Sequence, residues 1–150
     1  MKRAILSSLF VLTGLITFAQ SSPNPVTWTY STKKLGSSYE VHMTAKISDG
    51  YRIYSQNPGG GITPTKFTFS NSPFLVVEPT VLEFGTPVIL EHGMWKVKTR
   101  AFEKSVDFVV KVKLKGATKT NLYGKVNFVI GNEKTALTPS KVTFTVPVGR

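Results

Sequence analysis

The sequence predicts an antiparallel β-sandwich, and three observations predict it. Apolar and polar residues alternate through one segment after another; Tyr39, Val41, Met43, Ala45 and Ile47, for example, interleave with Glu40, His42, Thr44 and Lys46. That is the period of a strand with one face buried and one in solvent. The alternating runs are short and are separated by Gly, Pro, Ser and Asn clusters that turn the chain. After the first nineteen residues no segment shows a helical period, so the elements have to pack as sheet on sheet.

The chain opens with Met1-Lys2-Arg3, followed by an apolar stretch over residues 4–18 and a small residue at Ala19. This is the layout of a secretory signal peptide, with cleavage expected after Ala19. The apolar stretch is short for a membrane span, which takes about 20 residues, and no later run is long enough to serve as one. The expected domain is therefore residues 20–150, one sandwich without a membrane span once the signal is removed. The expected location is the periplasm or outside the cell. Cleavage removes the charges of Lys2 and Arg3 from a formal net charge of +11 and leaves the chain strongly basic. A basic surface favours anionic partners, while export makes nucleic acid a poor match.

A first strand is expected over residues 26–35, with Trp28 and Tyr30 on one face. A turn at residues 36–38 leads to the clean alternation of residues 39–47. After Ser48-Asp49-Gly50 comes a short strand over residues 51–54. Asn57-Pro58-Gly59-Gly60-Gly61 reads as the most flexible loop, because glycine relieves the steric limits on the backbone. It lacks the following helix and lysine of a phosphate-cradling loop. Residues 66–69 and 74–78 read as strands, with Pro79 breaking the second. Residues 94–114 read as a hairpin: Trp95, Val97, Thr99 and Ala101 alternate with Lys96, Lys98 and Arg100. A break at residues 102–105 follows, and then Val106, Phe108, Val110 and Val112 alternate with Asp107, Val109, Lys111 and Lys113. If those strands pair, Lys96, Lys98, Arg100, Lys111, Lys113 and Lys115 share one basic face. Such a face is either a solvated surface that discourages edge-to-edge association or a docking surface for an acidic partner. A turn-rich connector is expected over residues 116–123.

The end of the chain is the most informative part. Val126, Phe128 and Ile130 form a half-buried strand that runs into a polar loop, and a second strand covers residues 141–148. The stretch from residue 126 to residue 139 resembles the active-site hairpin of the periplasmic N-terminal domain of the thiol:disulfide interchange protein DsbD. In that family the strand leads into a cysteine, then Asn and acidic residues. A second cysteine follows shortly after, with a hydrophobic residue and prolines behind it. Here the two cysteine positions read Gly131 and Ala136. Asn132, Glu133, Leu137 and Pro139 keep the surrounding pattern, and Thr138 replaces the first proline. Ser48-Asp49-Gly50-Tyr51 with Tyr54 is similar to the family as well, and the resemblance spans residues 24–148. It implies an immunoglobulin-like sandwich with the degenerate hairpin exposed at one end. It further implies an aromatic residue beside the cysteine positions, a role Tyr54 can fill although Arg52 departs from the pattern. It also implies a cap loop near residues 81–87, with Phe84 as the cap by position; the other reading of Phe84 is an ordinary core residue.

The chain contains no cysteine. Thiol–disulfide exchange needs a thiolate nucleophile, so the chain cannot perform it, and no disulfide supports the fold. The two histidines, His42 and His92, have no partner at a metal-ligand spacing. The acids are scattered, and there is no nucleophile elbow or Ser-His-Asp signature. No enzyme activity and no cofactor are expected. The expected function is an exported, redox-dead binding module that docks an envelope or periplasmic protein through Tyr54, Phe84, Gly131, Asn132, Glu133 and Ala136. The alternatives are a surface-binding or adhesion module that uses the basic face for anionic lipid or glycan, and a structural domain without a partner.

Overall fold

The computed structural model describes residues 24–94, 96–134 and 137–149. Trp95 and Ala136 fall outside the described residues, as does the segment read as a signal peptide. Among the described residues there is no helix, and hence none long and apolar enough to cross a membrane.

Among the described residues ten strands follow one another: β1 (Val26–Leu35), β2 (Ser38–Ile47), β3 (Tyr51–Tyr54), β4 (Lys66–Phe69), β5 (Leu75–Phe84), β6 (Pro87–His92), β7 (Val97–Phe102), β8 (Ser105–Leu114), β9 (Thr120–Asn132) and β10 (Thr138–Val148). They build two antiparallel sheets. One has the order β1-β2-β8-β5; the other runs β10-β9-β3-β7-β6, with β4 also paired to β9. β3 and β4 lie end to end along the same edge of β9, β4 against residues 124–127 and β3 against residues 130–132.

The alternation that marked the strands also fills the core. Val41, Met43 and Ala45 from β2, with Val106, Phe108, Val110 and Val112 from β8, meet Ile53, Phe102, Val126 and Phe128 of the other sheet. Each of these side chains is essentially sealed from water, and each buried Val, Ile, Met or Phe stabilises by about 1.5–3 kcal/mol. Trp28 closes one side, its ring 5.4 Å from Phe128 and 5.9 Å from Phe108. Its Nε1 makes no hydrogen bond among the described residues, and neither does Tyr30 Oη.

Four expectations change. First, residues 94–114 do not form a hairpin. β7 pairs with β3 and β6, whereas β8 pairs with β2 and β5. The chain changes sheets at Glu103-Lys104, where Lys104 takes φ +65° and its carbonyl accepts the amide of Ile47 at 2.8 Å. The six basic residues therefore do not share a face. Lys96 sits in the β6–β7 turn. Lys98 and Arg100 lie on one sheet, where Lys98 pairs with Glu91 at 3.7 Å and the Arg100 guanidinium stands 5.9 Å from the Phe102 ring. Lys111 and Lys113 lie on the outer face of the other sheet, with Lys111 directly across from Glu40, and Lys115 follows them just past β8. Second, Pro79 does not end its strand. β5 continues through it with a register shift between Val77 and Val81, and a bulge in an edge strand needs no N–H there. Third, β6 is a strand of its own, absent from the sequence reading. Fourth, β9 begins at Thr120 and runs through Gly124. The Phe144 ring occupies the place of a side chain at Gly124, 2.5 Å from where its Cβ would stand.

Candidate binding site

β3 is short, but it lies at the centre of the larger sheet. Tyr51 and Ile53 turn towards the main core, so Arg52 and Tyr54 emerge on the opposite, outer face. There Tyr54, Ala101 and Val129 form a second, smaller apolar cluster with Ile62, Val88 and Leu90 packed against it. An outer sheet face becomes a buried one because the segment between β3 and β4, residues 55–65, folds back over it.

Polar groups pin that segment at both ends. Thr65 Oγ1 donates to the Tyr54 carbonyl at 2.5 Å, and the Thr65 amide donates to the Ser55 carbonyl at 3.1 Å. Ser55, 1% exposed, donates its hydroxyl to both carboxylate oxygens of Glu83 at 2.9 and 3.1 Å, and the Gln56 amide donates to Glu83 Oε1 at 2.5 Å. In between, the Arg100 amide donates to the Pro58 carbonyl at 2.8 Å. Gly59, Gly60 and Gly61 follow with φ between +60° and +73°. A Cβ on Gly60 would stand 2.6 Å from Thr99 Cγ2 and 2.9 Å from Val97 Cγ1. The triple glycine is thus a left-handed turn pressed against β7, in a conformation that side chains resist. The sequence reading took it for the loosest loop.

Between this turn and residues 132, 133 and 137 of the β9–β10 hairpin lies a cavity of about 620 Å³. Tyr54, Ile62, Val97 and Leu137 supply its apolar wall; Arg52, His92, Thr99, Asn132 and Glu133 supply polar groups. His92 Nε2 is 3.0 Å from Thr99 Oγ1. The Arg52 side chain is only 11% exposed. It pairs with Glu103 Oε1 at 3.9 Å, and its Nε makes no hydrogen bond among the described residues. Asn132 Oδ1 accepts the Lys134 amide at 2.9 Å and shapes the hairpin tip.

Of the residues singled out from sequence, Tyr54, Asn132 and Glu133 meet at this cavity. Gly131 lies directly behind it: a Cβ there would be 3.2 Å from Tyr54 Oη and 3.2 Å from Leu137 Cδ2. The Tyr54 ring and Leu137 fill the space beside Gly131. Phe84 is elsewhere. It ends β5 in the other sheet, 55% exposed, and lines a small groove with Leu82, Val109 and Lys111. It is neither core nor a lid over Tyr54; the covering role belongs to residues 58–62. Arg52, Ile62, His92, Val97 and Thr99 also line the cavity and carry no site role in the sequence pattern, whereas Leu137 stands there only as part of the hairpin pattern. The available signal was the spacing around Gly93, which makes β6 and β7 a hairpin and sets His92 opposite Val97.

Among the described residues no three His, Asp or Glu side chains converge as a metal site. The cavity presents one largely buried cation, one imidazole held by a threonine hydroxyl, an exposed carboxylate, an amide and an apolar wall. That arrangement suits binding.

No protein-family model matches the chain, and no curated protein matches it. Solved structures do. The chain is similar to the N-terminal periplasmic domain of ScsB from Proteus mirabilis, with a TM-score of 0.52 and 15% identity over 81% of this chain and 51% of that one. It is also similar to the Neisseria meningitidis DsbD N-terminal domain in the reduced form, with a TM-score of 0.50 and 11% identity over 82% of this chain and 86% of that one. The chain spans about half the length of the ScsB chain it matches. At these identities the likeness establishes the fold, an immunoglobulin-like antiparallel β-sandwich of the DsbD N-terminal type. The resemblance read from residues 48–54 and 131–139 holds at that level, in a chain without cysteine.

Proposed function

We propose that this protein is an exported, non-catalytic binding module, a redox-dead counterpart of the DsbD N-terminal domain that docks an envelope protein through the end of the sandwich around Tyr54 and the β9–β10 hairpin tip. One observation carries this reading. Tyr54, Asn132 and Glu133, expected from the sequence to lie beside the two cysteine positions, line one cavity together. The neighbours in structure are described as a periplasmic domain of ScsB and as a DsbD domain in the reduced form, which supports an envelope setting. Without a thiol the surface can dock and cannot exchange. Gly131 and Ala136 belong to this proposed surface as the two positions matched to the cysteines, while Phe84, on the other sheet beside Leu82 and Val109, lies outside it.

The test is crosslinking in the cells that make the protein, using the full chain tagged at its C-terminus. The expected result is one envelope protein crosslinked to the wild type and to Lys113→Glu, and lost with Asn132→Arg. Retention by Asn132→Arg would overturn the assignment of the surface. Binding that instead follows anionic vesicles, and fails with Lys98→Glu or Lys113→Glu, would favour the lipid- or glycan-binding alternative. The separation of Lys98 and Lys113 onto different sheets makes these two substitutions independent probes.

A further inference from the structure

We propose that the cavity beneath Gly60 and Ile62 is a binding site for a small amphiphilic anion, a monocarboxylate carried on an apolar body about the size of an aromatic ring. This does not rest on the docking reading, since it follows from the cavity's own chemistry. A volume of about 620 Å³ falls among small-molecule pockets, which run from about 300 to 1,000 Å³ and combine apolar walls with a few convergent polar groups. The wall provides Tyr54, Ile62, Val97 and Leu137. Two of these, Val97 and Leu137, are 40% and 42% exposed, and here they edge a concave site instead of standing singly on a convex surface.

The charge at the site selects the ligand. Arg52 rises from the central strand with its side chain nearly buried, and a buried guanidinium needs partners for five N–H groups. Among the described residues its recorded ionic partner is Glu103, itself 45% exposed and 3.9 Å away, beyond hydrogen-bond length. Arg52 is therefore a largely buried cation, its Nε without a hydrogen bond among the described residues, at the edge of a cavity with an apolar wall. A carboxylate matches its planar fork and gains charge-assisted hydrogen bonds there. His92 stands at the same wall, held by Thr99. The carboxylate lining the cavity, Glu133, is exposed, so solvent screens its repulsion. A cationic ligand would meet Arg52, and a polar uncharged one would leave the apolar wall unused.

The test compares 3-phenylpropionate with its uncharged amide, 3-phenylpropionamide, by amide-resolved NMR titration of the purified protein. The anion is expected to bind with Kd below about 1 mM and at least about tenfold more tightly than the amide. Its shifts should centre on Arg52, Ile62, His92 and Leu137. Arg52→Gln should bring the two affinities within about twofold of each other. Since Arg52 is buried and its loss can unsettle the fold, Val97→Glu serves as a second variant. It places a carboxylate at an exposed wall position, and it should weaken the anion more than the amide, so that the preference for the anion is lost. A blocked tripeptide ending in phenylalanine presents the same chemistry as a protein chain end; if it bound about tenfold more tightly than phenylpropionate, the small-molecule assignment would be overturned in favour of a C-terminus. Equal affinity for anion and amide, shifts outside the cavity, an unchanged preference in Arg52→Gln, or no saturable binding up to about 5 mM would also overturn it.

Discussion

Replacing Glu83 with alanine should release the segment that roofs the cavity. Glu83 lies on β5, in the smaller sheet, and reaches across to the first residues after β3, in the larger one. Its carboxylate accepts the Ser55 hydroxyl and the Gln56 amide. Ser55 Oγ in turn accepts the Asn57 amide at 3.0 Å. Hydrogen bonds to a charged group contribute about 1.5–3 kcal/mol each in buried settings. Glu83 is half-buried, so water replaces part of what is lost, and Glu83→Ala should cost about 2–3 kcal/mol in total. For a domain of this length that lowers Tm by about 8 °C. The assay is urea denaturation, combined with hydrogen exchange at Gln56 and, as a core reference, Val110. Gln56 should lose more protection than Val110, because the lost contacts are local to the roof. Ser55→Ala should cost about 1 kcal/mol, and the Ser55→Ala/Glu83→Ala cycle should show coupling of about 1 kcal/mol. A loss below about 0.5 kcal/mol with unchanged exchange at Gln56 would refute the claim that this carboxylate holds the roof.

Other outcomes follow from the packing. Gly124→Ala should destabilise by about 2 kcal/mol or more, measured by denaturation, because the new methyl meets the Phe144 ring and lies 3.1 Å from the Thr68 carbonyl; Gly36→Ala, with nothing within 4 Å but φ +58°, should cost about 1 kcal/mol. Burial pushes the Tyr30 phenol up from 10.0 to about 12. It should ionise as a step near pH 12 in an ultraviolet titration, and the stability tied to it, complete below pH 10, should fall as pH rises from 10 to 12 because the unfolded phenol ionises first. Tyr30→Phe should abolish that late step without loss of stability at pH 7, since it removes a hydroxyl with no hydrogen bond among the described residues. Gly131→Cys with Ala136→Cys should form a disulfide on mild oxidation, read as the loss of two free thiols by mass spectrometry. A modest drop in Tm is expected from displacing Tyr54 and Leu137, and two persistent thiols would contradict the correspondence of these positions to a cysteine pair.

The strands were legible in the sequence because alternation is a local property. A residue's side of a strand depends on its immediate neighbours, so Tyr39 to Ile47 and Val126 to Ile130 showed their buried faces without reference to a partner. Tyr54, Asn132 and Glu133 were also legible as neighbours, through the hairpin pattern around Gly131 and the segment ending at Tyr54. The absence of thiol chemistry followed from composition alone. Which sheet each strand joins was decided only in three dimensions. The alternation from Val97 to Leu114 suits a hairpin as well as it suits two strands in different sheets; the partners β2, β3, β5 and β6 separate these cases, and they are distant in sequence. The same reason divided the basic residues between two sheets and sent Phe84 away from the site. It also brought His92 and Ile62 into it. The triple glycine showed its freedom in the sequence, but its use emerged only where Val97 and Thr99 of β7 leave no room for a side chain.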